Sequence, residues 1–241
     1  MNLKYATIGL LALCAISCDS HKKNKSDHST YPDVMVVGAM KDVMWNGKLG
    51  SKIDLDTVSD TSGLYGLGPE SFLSGEILIM DGTGYVSKVT SDSTMKVIKT
   101  LKTSAPFFVY ARVKEWDEVD LPDSVKNIQD LERLIDDRTK ELKRPFAFKL
   151  EGRAAKALIH IVNLPKGSVV SSPKEAHRGQ INYLVENANV TIVGFFSTEH
   201  KAIFTHHDSF MHMHLITQDE SQMGHLDDLE IGSMKLYLPH K

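Results

Sequence analysis

SFMHMHLITQDESQMGHLDDLEI, residues 209–231, places His212, His214 and His225 around one loop. Side chains on a strand alternate between faces, so His212 and His214 share one side while Met211, Met213 and Leu215 take the other. A chain that turns back near Asp219 and Glu220 sets His214 opposite His225 and makes His212 its diagonal neighbour. Opposite Cβ atoms in an antiparallel pair stand about 4.5–5.5 Å apart and diagonal ones about 7–8 Å. Three imidazole tips can therefore converge on one ion. Three protein ligands also leave a coordination position open for water or substrate, as in catalytic zinc sites. Copper, nickel and iron suit the same ligands, and an isolated His-x-His pair is more simply a solvated edge. The third histidine at hairpin register favours a metal, with zinc preferred.

The segments around this hairpin read mostly as strands. VMVVGAM (34–40), EILIMDG (76–82), GYVSKVT (84–90) and FFVYARV (107–113) are short β-rich runs separated by Gly, Asp and Ser. Residues 121–142 carry Val125, Ile128, Leu131, Leu134 and Ile135 at helical spacing, with Asp123 as the expected cap. PFAFKLEG (145–152) and AKALIHIVNL (155–164) resume the strands, and a weaker helix is expected over about Lys174–Glu186. NVTIVGFF (189–196), KAIFTH (201–206), FMHMHLI (210–216) and the run from LDDLEI (226–231) to MKLYL (234–238) complete the set. The expected class is α+β, with two similar, mainly β-sheet halves, each with a helix, and a soft boundary near Arg144.

The N-terminus has a different character. Lys4 precedes an apolar run from Ala6 to Ile16 that is too short to span a bilayer and has the make-up of a signal peptide over residues 1–18. Its end, Ala15-Ile16-Ser17-Cys18, resembles the lipobox of bacterial lipoproteins, which implies lipidation of Cys18 and a membrane-anchored protein of the cell envelope. Residues 19–32 are polar and aperiodic, as expected of a flexible tether, and His21 and His28 within it are assigned no role. The folded body is expected over residues 33–241. With Cys14 cleaved away and Cys18 acylated, that body has no thiol, so a metal there has to be held by histidine and carboxylate. A net charge of −3 with no long basic block excludes nucleic acid as a partner.

Four stretches form a familiar set: GLGPESFLSGEILIMDGTGY (66–85), PFAFKLEG (145–152), VTIVGFF (190–196) and HMHLITQDESQMGHLDDLEI (212–231). Together they resemble the α-acetolactate decarboxylase family. The resemblance implies an α+β fold of two sheet-rich halves, Zn2+ held by His212, His214 and His225, and Glu76 reaching the metal site. It also implies decarboxylation of a 2-hydroxy-3-oxo acid of the acetolactate-to-acetoin type. In such a reaction a divalent ion supplies a Lewis acid for the electrons that carbon dioxide leaves behind, and a positioned acid delivers a proton. Glu76 is a candidate for that proton work or for orienting a metal-bound water. Two positions depart from the family pattern. His160 falls where an arginine is implied after Glu151-Gly152, with Arg153 or Lys156 as other sources of a cation, and no glutamate follows Leu238-Pro239 through Lys241. Expected partners are a small oxo acid and the membrane through the N-terminal lipid, and self-association as a homodimer is left open. A non-catalytic metal- or ligand-binding lipoprotein on the same fold is the alternative. A cupin-like iron oxygenase is a weaker third reading: Glu220 follows His214 by six positions, but cupins place their last histidine much further along. His200, His206 and His207 read as loop or edge residues.

Overall fold

The computed structural model of the chain describes residues 34–206 and 208–240. The signal-peptide and tether readings, Cys18, His21, His28 and His207 lie outside the described residues. Up to residue 112 the strands are β1 (Met35–Val37), β2 (Ile53–Asp54), β3 (Leu64–Pro69), β4 (Glu76–Met80), β5 (Thr83–Val89), β6 (Met95–Lys99), β7 (Ser104–Ala105) and β8 (Phe108–Arg112). The remainder are β9 (Trp116–Asp120), β10 (Phe146–Ile161), β11 (Ile181–Phe196), β12 (Met211–Thr217) and β13 (Met223–Pro239). Helices α1 (Met40–Asn46), α2 (Ile128–Arg138) and α3 (Pro173–Ala176) accompany them. The chain is thus α+β and dominated by antiparallel sheet, as its sequence implies.

The first sheet has the order β1-β8-β3-β4-β5-β6, with β2 and β7 pairing separately. Its β4–β5 turn is two residues, Asp81-Gly82, both at positive φ (46° and 78°), the geometry that matches the twist of a tight hairpin. The second sheet has the order β10-β11-β12-β13-β9, and an added β10–β13 pairing closes its first four strands into a ring. The residues that alternate into this ring, among them Phe148, Ile159, Ile192, Met213, Leu215 and Leu236, form a continuous core with Leu131 and Ile135 of α2. On the opposite face, Ala147, Val193, Phe195 and Ile216 pack against Tyr65, Leu67, Leu78 and Val109 of the first sheet. The two sheets therefore meet face to face, and the space between them receives every second side chain of β12.

Phe148 pairs with Gly194 across β10–β11, and a Cβ at Gly194 would stand 2.3 Å from Phe148 Cζ. The ring thus occupies the space a side chain would take. Gly194→Ala is expected to destabilise the fold by about 1–3 kcal/mol through overpacking, seen as a lower denaturant midpoint at unchanged slope.

Several local expectations are corrected. Helix α2 is shorter than residues 121–142 because Asn127, not Asp123, caps it, accepting the Asp130 N–H at 2.9 Å. The helix expected over 174–186 shrinks to the single turn α3. Gly179, at φ 81°, follows it, and Tyr183 and Val185 then alternate inward as part of β11. KAIFTH is a turn rather than a strand: the His200 carbonyl accepts the Ile203 N–H at 3.0 Å, and Ala202 sits at φ 59°. VMVVGAM ends as a strand at Val37 and becomes α1, which buries Met40, Val43 and Met44 at helical spacing. No side chain caps α1. Its Met40 and Lys41 N–H groups donate instead to the Ile203 and Ala202 carbonyls, at 2.7 and 2.9 Å. The turn over 200–205 thereby holds α1 beside the intersheet space.

Candidate metal centre

On β12 the side chains of Met211, Met213 and Leu215 enter the core of the closed ring, while His212 and His214 face the first sheet. His214 pairs directly with His225 across β12–β13, and His225 pairs with His160 across β13–β10. Three adjacent strands therefore present a row of imidazoles, with His212 two residues from its end. His212 Nε2 and His225 Nδ1 are 3.1 Å apart. One ring nitrogen from each of His212, His214 and His225 lies within 4.8 Å of the other two. All three residues are buried, with His214 fully inaccessible, so the solvated-edge explanation does not apply.

Glu76, the first residue of β4, enters this space from the opposite sheet. Its Oε2 is 3.6 Å from His214 Nε2, its Oε1 is 4.0 Å from His160 Nε2, and Oε1 accepts the Val162 N–H at 3.3 Å. His160 Nδ1 lies 2.7 and 2.9 Å from the two carboxylate oxygens of Asp227.

Burial dominates the electrostatics. It pushes Glu76 up to about 7, an effect that Asp227 adds to and that His160 and the Val162 N–H oppose. It also pulls His214 down to about 3 and His212 and His225 well below the usual imidazole value, with further lowering from neighbouring histidines. Near neutral pH the three rings are consequently uncharged and offer lone pairs, the form a metal ion requires.

The donor set also fits an ion on polar grounds. Among the described residues, Nδ1 of His212 and both ring nitrogens of His214 are buried without a hydrogen-bond partner. Carbonyls at Phe204 and Ile77 exert only a small opposing pull on these rings, at geometry short of a hydrogen bond. Unpaired buried polar atoms cost roughly 1–3 kcal/mol each, and an ion is one of the usual reasons they persist. Ligands about 2.0–2.1 Å from a tetrahedral zinc stand roughly 3.4 Å from one another, close to the His212–His225 separation.

The cluster forms part of the wall of a cavity of about 370 Å³. Glu76, His160, His177, His206, His212 and His225 supply its polar wall, and the apolar wall includes Met44, Trp45, Leu73, Phe107 and Val162. Among the described residues that line it, none is lysine or arginine. Arg153 and Lys156, weighed as sources of a cation, are exposed on β10 away from it. Glu220 lies at the hairpin turn, where it accepts from Tyr85 at 3.0 Å and pairs with Lys99 at 2.7 Å, so the cupin-type carboxylate is not at the cluster. His200 bonds Ser197 Oγ at 2.8 Å and stacks on Phe204, outside the cavity lining.

Sequence reasoning missed Asp227, His177 and the part played by His206. Asp227 was open to discovery, since it follows His225 by two residues on one strand and alternation carries both to one side. His206 reads from sequence as a loop or edge residue, yet its ring centroid is 5.2 Å from that of His225. No spacing in the sequence links it or His177 to the hairpin.

Fold and cluster together define a two-sheet α+β protein with a buried, carboxylate-flanked histidine centre suited to a metal ion. The chain belongs to the alpha-acetolactate decarboxylase family, whose model matches residues 37–240. Alpha-acetolactate decarboxylase from Bacillus subtilis strain 168 shares the fold at a TM-score of 0.70 and 21% identity, over 86% of this chain and 85% of that one. A Staphylococcus aureus protein of unknown function, described as similar to alpha-acetolactate decarboxylase, aligns at a TM-score of 0.68 and 16% identity, over 85% and 84%. At these identities the likeness is one of fold. No curated protein matches the chain at a significant level.

Proposed function

We propose that the protein is a zinc-dependent decarboxylase of a 2-hydroxy-3-oxo acid, of the acetolactate-to-acetoin type, held at the cell envelope by lipid on Cys18. The anchor rests on the sequence of residues 4–18 alone. The reading of the reaction is carried by one observation: in a chain of this family, His212, His214 and His225 converge within 4.8 Å, and Glu76 stands 3.6 Å from His214.

His212, His214 and His225 would hold the ion, which supplies a Lewis acid for the charge left on substrate oxygens as carbon dioxide departs. The bond from C2 to the carboxylate breaks, carbon dioxide leaves, and one proton replaces it, giving a hydroxyketone. Glu76 is the acid that delivers this proton. Without a bound ion, burial pushes its carboxyl up to about 7, above the usual glutamate range and toward the pH at which an acid has a proton to give. His160, fixed through Nδ1 to Asp227, presents Nε2 to the same carboxyl and orients it. The apolar wall of Met44, Leu73, Phe107 and Val162 excludes water from the reacting carbon.

Full-length protein loaded with zinc should release carbon dioxide and form acetoin from racemic acetolactate, measured on a preparation whose zinc content is known. The non-catalytic binding reading is favoured by one feature, the lack of lysine and arginine among the described residues around the cavity, which leaves a substrate carboxylate without a fixed cation. It predicts zinc bound in the same preparation and no acetoin.

A further inference from the structure

We propose that the protein carries a second metal position, formed by His160, Asp227 and His225 on the solvent side of the histidine triad. The inference rests on the reading of that triad as a metal site and extends it. One ligand atom from each of His160, His225 and Asp227 lies within 4.8 Å of the other two. Asp227 brings two oxygens within 2.7 and 2.9 Å of His160 Nδ1, and its Oδ1 is 3.9 Å from His225 Nε2. These separations bracket the roughly 3.4 Å expected between neighbouring ligands of a tetrahedral ion held at 2.0–2.1 Å.

The two positions use different nitrogens of His225. Its Nδ1 faces His212 Nε2 at 3.1 Å, and its Nε2 faces Asp227. With both positions filled, His225 bridges them and its remaining ring proton passes to solvent. Access also differs. His214 is fully buried between the sheets and His212 reaches only the cavity, whereas His160 and Asp227 border a second cleft with His177 and His206. Imidazole with a carboxylate suits zinc and cobalt, and iron as well.

A second ion here answers a chemical need that the side chains leave open. The substrate class carries a carboxylate, and no lysine or arginine lines either the cavity or the adjoining cleft among the described residues. An ion on His160 and Asp227 places a positive charge at the wall that both spaces share, where it would meet the carboxylate of the entering acid.

The test is a Co2+ titration of the untagged full-length chain, following visible absorption and bound metal together. Two equivalents are expected. Asp227→Asn and His160→Asn should each bind one, His214→Ala should also bind one, and the Asp227→Asn/His214→Ala double variant none. Comparing variants cancels any contribution from His21 and His28, and thermal unfolding of each verifies that it is folded. Should Asp227→Asn misfold, His160→Asn carries the same test. A single equivalent that survives both Asp227→Asn and His160→Asn but disappears in His214→Ala would overturn the second position and leave the triad intact. A single equivalent with the reverse behaviour would support the outer position and remove the triad as a metal site. No bound metal would overturn both.

Discussion

His214→Ala should lose the ion of the triad and lower acetolactate turnover on the order of 10³-fold. Lewis-acid stabilisation by a bound ion contributes several kcal/mol to a transition state, and each 1.36 kcal/mol is a factor of ten in rate. His214 is the informative choice because it is fully buried, faces Glu76, and has two ring nitrogens with no hydrogen bond to lose among the described residues. His240→Ala is the control. That residue is exposed and paired with Asp117 at 2.6 Å on the far edge of the second sheet, so its loss should leave both metal content and turnover within about threefold, in line with the small effects of surface substitutions. Metal analysis and acetoin formation on one preparation of each variant decide the matter. Retention of metal and rate in His214→Ala would remove the triad from the chemistry.

The second large effect belongs to the carboxyl. Glu76→Gln keeps the side chain's shape and its acceptor for the Val162 N–H but cannot deliver a proton. General acid catalysis is typically a 10²–10⁴-fold effect, so kcat should fall within that range while metal content stays at the wild-type level. That split separates the two roles: the histidine variant loses metal and rate together, the glutamate variant rate alone. A kcat within about threefold of wild type would place the proton donor elsewhere.

The legible part of this site was the part written in one stretch of chain. Strand alternation and a tight turn suffice to bring His212, His214 and His225 together, because the period of two and the hairpin register are local consequences of backbone geometry. The observed His214–His225 pairing is the one that a turn near Asp219 and Glu220 implies. That both faces of β12 are buried was not legible, since an alternating run reads as half-solvated until the opposing sheet is known. The contribution of the first sheet was hidden for the same reason. Glu76 reaches the cluster only because the intersheet faces meet, and it was singled out through resemblance rather than through any spacing.

Misreadings at the cavity wall share a physical origin. Residues 174–186 have a helical composition, but Tyr183 and Val185 gain more by pairing with β10 than a short helix could provide, so tertiary contacts override local preference. Helix α1 escaped notice because seven residues behind a strand give too little periodicity to register. Its position depends on carbonyls of a turn more than 160 residues away in the sequence, at Ala202 and Ile203. Asp227 is the instructive omission, as the alternation that selected the histidines applies equally to the residue two beyond His225.

Diffraction at the zinc absorption edge from crystals of the zinc-loaded protein tests the central claim most directly. An anomalous peak about 2.0–2.1 Å from one nitrogen each of His212, His214 and His225 is the predicted result. Density showing those rings well ordered around no anomalous scatterer, or zinc bound only at surface histidines such as His240, would contradict it.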